Sequence, residues 1–181
     1  ICKSMPKKVL ALRGWHTKNI LEKKFSVNID VALGDPGLLI SDFITIKCEK
    51  KYKYGLILHY VDKIILDKCI LPDNCLIIDI ETDNINKFVT DINSCEKIIS
   101  SSLHGLIFAD SYCIPNAFIV LSDKVFGGLF KFNDYFSVFS AIRPVNDCVK
   151  SKDLRSLKYA SVCSTELQYI KSDLKTSLNK L

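Results

Sequence analysis

The sequence predicts an α/β domain: a Rossmann-like parallel sheet of about six strands with helices on both faces. Three observations carry that expectation. Short apolar runs recur from residue 8 to residue 121. Helical patterns lie between most of them. The runs are apolar throughout rather than alternating, which marks strands buried on both faces and joined by helical crossovers.

Taken in order, Lys8-Val9-Leu10-Ala11-Leu12 reads as a strand ending at Arg13-Gly14. Residues 17–25 have helical composition, with Thr17 as cap. Residues 29–33 form a second strand, closed by the turn Gly34-Asp35-Pro36-Gly37. Lys47 to Lys53 is a polar connection. Residues 54–58 make a third strand ending at His59-Tyr60, and residues 62–71 a helix closed by Pro72-Asp73-Asn74. Residues 75–78 give a fourth strand ending at Asp79 and Glu81. A helix over 84–93 puts Ile85, Phe88, Val89 and Ile92 on one face. A fifth strand covers Glu96-Lys97-Ile98-Ile99, followed by a serine turn and a buried helix that stops before Ile114-Pro115. Residues 116–121 are a sixth strand, and 131–139 an aromatic helix. Two terminal helices over 151–159 and 165–181 close the chain, the last carrying a Leu167, Ile170, Leu174, Leu178, Leu181 stripe.

The 181 residues suit one domain, 48% hydrophobic and 25% charged. The net charge of +5 is spread along the chain. The densest basic run, Lys47 to Lys53, includes Glu49 and two tyrosines, so it reads as a solvated face and no nucleic-acid partner is expected. No apolar stretch reaches the length of a transmembrane segment. The eight cysteines show no CxxC pair and no zinc-finger spacing with histidine. They read as free thiols in a reducing cytoplasm, with Cys113 as buried filler.

In parallel sheets, ligands bind beyond the carboxyl ends of the strands. Arg13, Asp35, His59, Asp79 with Glu81, and Ser100 to His104 all follow strands. Five polar strand ends at one edge predict a ligand crevice. The centre of that edge is Ser100-Ser101-Ser102-Leu103-His104-Gly105. Ser101 or Ser102 is placed to cap the helix, Leu103 begins its core face, and His104 sits in the first turn. Free N–H groups, hydroxyls and an imidazole at one helix start suit an anion.

Arg13-Gly14, Gly34-Asp35-Pro36, Leu58-His59-Tyr60, Ile77-Ile78-Asp79, the run from Ile99 to Ala109 containing Ser-Leu-His-Gly, and Phe130-Lys131-Phe132-Asn133-Asp134-Tyr135 occur in that order. This order resembles the polysaccharide pyruvyl transferase family over about residues 9 to 140, with Ser-Leu-His-Gly and its flanks the specific part. Two departures bear on the pocket wall. Trp15 follows Arg-Gly where the family usually has Pro, and Cys113 precedes Ile-Pro where it often has Gly.

The resemblance implies one half of a GT-B-type fold, with an N-terminal half absent from these residues and residues 1–181 forming one domain. It implies transfer of a pyruvyl group from phosphoenolpyruvate (PEP) to a sugar of a surface polysaccharide or exopolysaccharide precursor, forming a pyruvate ketal. It also implies no metal, no cofactor beyond the donor, and a cytoplasmic place peripheral to the inner membrane face. An uncovered edge would favour a homo-oligomer. The residue types fit that chemistry. Arg13 matches a carboxylate or phosphate with two prongs. His104 is the expected general acid. Ser101, Ser102, Leu103 and Gly105 are expected to hold substrate at the helix start, with His59, Asp79 and Asp35 as further substrate-binding candidates. For Asp35, a turn-forming role competes. Two other readings fit the same residues: a nucleotide-sugar glycosyltransferase, and a non-catalytic glycan-binding or assembly module.

Overall fold

A computed structural model of the chain describes residues 4–180; Cys2 and Leu181 lie outside them. In chain order the elements are β1 Ala11–Leu12, α1 Trp15–Phe25, β2 Ala32–Leu33, α2 Ile40–Phe43, β3 Tyr52–Ile57, β4 Cys75–Ile77, α3 Ile85–Asn93, β5 Cys95–Ser100, α4 Leu103–Ser111, β6 Asn116–Val120, α5 Phe130–Phe136, β7 Val145–Asp147 and α6 Ser164–Leu178. Two 3₁₀ helices, Pro36–Leu39 and Tyr60–Lys68, join them.

The strands form two sheets rather than one of six. A five-stranded, wholly parallel sheet has the order β4-β3-β5-β6-β7. β1 and β2 pair in parallel by themselves. α6 lies over the end of β2: a Cβ on Gly34 would fall 2.7 Å from Ile170 Cγ2. Gly34 also has φ +142°, which side chains rarely adopt.

Alternation along the five-stranded sheet sorts its core into two layers. Leu56, Leu58, Ile99, Ile119 and Leu121 face one side, with Cys148 and Leu154 packed on them. Ile57 and Ile98 point to α3 and α4, and Phe118 points to α4, α5 and α6. The sheet is therefore covered on both faces, but α-helices dominate only one of them. The expected α-helix over 62–71 is the 3₁₀ helix Tyr60–Lys68, where the β-branched Val61, Ile64 and Ile65 disfavour α geometry. The expected helix over 151–159 is irregular. Its backbone bonds run across the chain instead, Ile70 N–H to Lys152 O at 2.8 Å and Leu154 N–H to Ile70 O at 2.9 Å. β7 has no apolar run, which is why the sequence conceals it.

Other expectations shift in detail. Gly14 rather than Thr17 is the N-cap of α1. Tyr52 and Lys53, assigned to the polar connection, belong to β3. Ile85 and Leu178 are exposed, whereas Phe88, Val89, Ile92, Leu167 and Leu174 are buried. Seven described cysteines are free thiols, and Cys113 is exposed rather than buried. It follows α4 in the left-handed region at φ +55°, with Cys113 N–H on Asp110 O at 2.9 Å and Ile114 N–H on Ala109 O at 2.8 Å. That pattern is a Schellman stop, whose left-handed residue is usually glycine. Below it, buried Asp110 accepts from Tyr135 Oη and Arg143 Nη2, each at 2.7 Å, and from Asn116 Nδ2 at 2.6 Å. This cluster ties α5 to α4.

Candidate active site

The site begins with three consecutive serines, and each has a different task. Ser100 Oγ lies 2.8 Å from Ile57 O, to which it donates, and accepts the Ser102 N–H at 3.0 Å. Ser101 Oγ accepts the His59 N–H at 3.0 Å. These bonds stitch the ends of β3 and β5 together. Ser102 is the N-cap of α4 by backbone conformation, and its hydroxyl makes no capping bond. The expected hydroxyl cap from Ser101 or Ser102 is not made; Ser100 instead holds the N–H of the N-cap residue itself. The first helical bond runs from Leu106 N–H to Ser102 O. The N–H groups of Leu103, His104 and Gly105 therefore have no acceptor within the helix. Gly105 is buried, and a Cβ there would fall 2.5 Å from Ser100 Oγ and 2.9 Å from Ile57 Cγ2. It lets α4 sit directly on β3.

A cleft of about 350 Å³ opens at this helix start, lined by Arg13, His59, Tyr60, Ile80, Glu81, Ser102, Leu103, His104 and Lys131. Residues from four separate strand ends and from α5 meet here. His104 is exposed to it. Arg13 donates from Nε to Asp35 Oδ2 at 3.1 Å, and Asp35 Oδ1 accepts the Gly37 N–H at 3.0 Å. Asp35 is thus both turn former and holder of Arg13, and it lies outside the cleft lining. The Arg13 side chain is 40% exposed, leaving its terminal nitrogens for a ligand.

His59 Nδ1 accepts the Val61 N–H at 3.4 Å, which leaves Nε2 to carry the proton of a neutral ring. Burial, then the positive charge of Lys131 nearby, hold its pKa below the ordinary 6.5. Lys131 is also held below its ordinary value, by burial and by Arg13. Arg13 beside Lys131, and Lys131 beside His59, with N–H groups that have no helical acceptor at the same helix start, favour an anionic ligand. Glu81, the acid in the lining, is paired with Lys63, as is Asp79.

Of the expected site residues, the cleft gathers Arg13, His59, Ser102, Leu103 and His104. Asp79 is 62% exposed in its pair with Lys63 and is outside the lining. Ser101 borders a different pocket, and Gly105 serves packing. Glu81, one of the polar strand ends, and Lys131, a candidate sugar contact on the aromatic helix, also enter the lining, and Tyr60 enters it unassigned by sequence. A cation between Phe130 and Phe132 was the available signal for Lys131.

α5 reaches the site because of Gly14. A Cβ there would fall 1.7 Å from Asp134 O. Asp134 in turn accepts from Thr17 N–H at 2.8 Å and Thr17 Oγ1 at 2.6 Å, capping α1 from another element. Trp15 occupies the first helical position, where proline is well tolerated. Here its N–H donates to Ser137 Oγ at 2.9 Å.

Among the described residues, no group of three or more His, Cys, Asp or Glu is arranged to hold a metal ion, and no helix is long and apolar enough to cross a membrane. A family model described as polysaccharide pyruvyl transferase matches residues 8–123. An uncharacterized protein, L143, of Acanthamoeba polyphaga mimivirus is 38% identical over 138 residues, 73% of this chain and 48% of that protein. The chain spans about half the length of this curated relative. No solved structure matches.

Proposed function

The chain belongs to the polysaccharide pyruvyl transferase family, and from that premise we propose that its cleft binds PEP and serves pyruvyl transfer to a saccharide. The observation that carries the reading is the meeting of Arg13, Lys131, His104 and the open start of α4 around one small cleft. PEP brings a carboxylate and a phosphate. Arg13 suits one of them through paired N–H donors, and the helix start with Lys131 suits the other.

In the proposed reaction a sugar hydroxyl adds to the enol carbon of PEP. Its oxygen bonds to that carbon and gives up its proton to a base. A proton arrives on the methylene carbon, making it a methyl group. His104, exposed to the cleft at the helix start, is the proposed acid for that proton. His59 is a candidate base, because burial favours its neutral form. A second hydroxyl then bonds to the same carbon and passes its proton to the departing phosphate, which gives the cyclic ketal and inorganic phosphate. No metal or cofactor takes part in this scheme. The proposed setting is the cytoplasm, beside the inner membrane face where glycan precursors are assembled. Exposed Trp15, Phe126 and Phe130 on the α1–α5 side support self-association, which sedimentation would check.

The test is pyruvyl transfer by the intact gene product carrying His104→Ala or His104→Gln. Both should fold, since His104 is exposed, and both should fail at the chemical step while His104→Gln keeps much of its PEP binding. Transfer at a near-native rate in either variant removes His104 from the acid role.

A further inference from the structure

A second pocket lies on the other side of the serine turn. Its volume is about 300 Å³, at the lower end of the roughly 300–1,000 Å³ usual for small-molecule sites. Phe118, Leu121, Val125, Leu129 and Phe132 supply apolar walls. Phe118 and Phe132 are stacked, with ring centroids 4.1 Å apart. Two polar groups border this otherwise apolar space, beside the rim residues Ser122 and Asp123. Ser101 Oγ accepts the His59 N–H, and its own O–H is free to donate. Asp62 is the other. Its side chain is fully buried, Oδ1 accepts from Ser122 Oγ at 2.6 Å, and Oδ2 has no hydrogen-bond partner.

A buried carboxyl oxygen without a donor is costly, and native folds rarely leave one that no water, ion, ligand or function meets. Asp62 is not a leftover of a surface position, because the 3₁₀ helix Tyr60–Lys68 holds it at 0% exposure. The pocket also adjoins the cleft residue by residue. Ser101 borders the pocket and Ser102 the cleft; Phe132 borders the pocket and Lys131 the cleft. The turn after β5 thus borders both.

We infer that this pocket is a binding site for a neutral sugar ring, the acceptor's, held beside the donor cleft within the same domain. A pyranose has an apolar C–H face for the Phe and Leu walls and hydroxyl donors for Asp62 Oδ2. An alkyl chain would satisfy the walls and leave the carboxyl oxygen bare. An anion would be repelled by Asp62 and Asp123. The word acceptor rests on the donor reading of the neighbouring cleft; the sugar site itself does not.

The experiment is ligand-observed NMR on the 181-residue chain with methyl galactoside, glucoside and mannoside, uridine and adenosine, and separately PEP. It compares wild type with Asp62→Asn and Val125→Trp. Asp62→Asn replaces the acceptor-only carboxylate by an amide, and Val125→Trp fills the pocket from its partly exposed rim. At least one hexoside should bind, weaken about tenfold or more in Asp62→Asn, and vanish in Val125→Trp. PEP affinity should stay within about threefold in both variants. The inference is overturned if no hexoside binds, if nucleosides bind the pocket and hexosides do not, or if hexoside binding survives both variants. Failure of the PEP arm alone overturns the donor reading and leaves the sugar site standing. Should Asp62→Asn not fold, Val125→Trp decides the matter alone.

Discussion

Gly14→Ala should damage stability and ligand binding together. The added Cβ would stand 1.7 Å from Asp134 O, 2.5 Å from Asp134 C and 2.7 Å from Asp134 Oδ1. The obstruction is helix backbone, so no rotamer change relieves it. α5 must withdraw by more than an ångström to reach ordinary contact. Overpacking of this kind costs about 1–3 kcal/mol. Withdrawal also pulls Asp134 from Thr17 N–H and Oγ1, and Ser137 Oγ from Trp15 N–H. Loss of an N-terminal cap adds about 1–2 kcal/mol. The expected total is about 2–5 kcal/mol, read as a fall in the urea midpoint with an unchanged slope. Because Lys131 rides on α5 and Arg13 adjoins Gly14, PEP affinity should fall in the fraction that remains folded. Asp134→Asn separates the two effects: it weakens the cap without the clash and should cost less. An unchanged midpoint and unchanged PEP affinity in Gly14→Ala would refute the idea that this close approach builds the site.

Cys113→Gly should stabilise the chain by about 0.5–1 kcal/mol, the left-handed cost of a side chain less the entropy cost of glycine; a lower melting temperature would contradict the strain argument. His59, held below 6.5 by burial, binds fewer protons folded than unfolded. Its contribution is therefore present above about pH 6.5 and is lost as pH falls toward its folded value. His59→Gln should remove that part of the acid sensitivity in denaturant titrations. Asp35→Asn should keep the Pro36–Leu39 turn yet loosen Arg13, weakening PEP binding several-fold with little change in melting temperature.

The stretch from Ile99 to Ala109 was legible because strand, turn and helix each carry a local signal there. The cleft was legible for a related reason: parallel strands point their carboxyl ends the same way, so Arg13, His59, Ser102 and His104 converge without any knowledge of side-chain contacts. Other features depend on contacts between distant parts of the chain. The split of β1 and β2 from the main sheet depends on where α6 docks, a contact more than 130 residues distant in sequence. Lys131 looked like part of an aromatic core helix, and only the absence of a side chain at Gly14 brings it to the site. Ser100 outranks Ser101 and Ser102 as the first N–H acceptor because β3 fixes its hydroxyl against Ile57 O. The orphaned oxygen of Asp62 is likewise invisible in a sequence, where the residue reads as the start of a helix.

The central claim is that Arg13 and its neighbours form a donor site for PEP. Calorimetric titration of the wild-type chain and of Arg13→Lys with PEP and with a set of nucleotide sugars tests it most directly. Wild type should bind PEP in preference to every nucleotide sugar. Arg13→Lys should lose about one to two decades in PEP affinity, because a point charge cannot reproduce two parallel charge-assisted bonds worth roughly 1.5–3 kcal/mol. An equal PEP dissociation constant in the two proteins, or tight binding of a nucleotide sugar with none of PEP, would contradict the account.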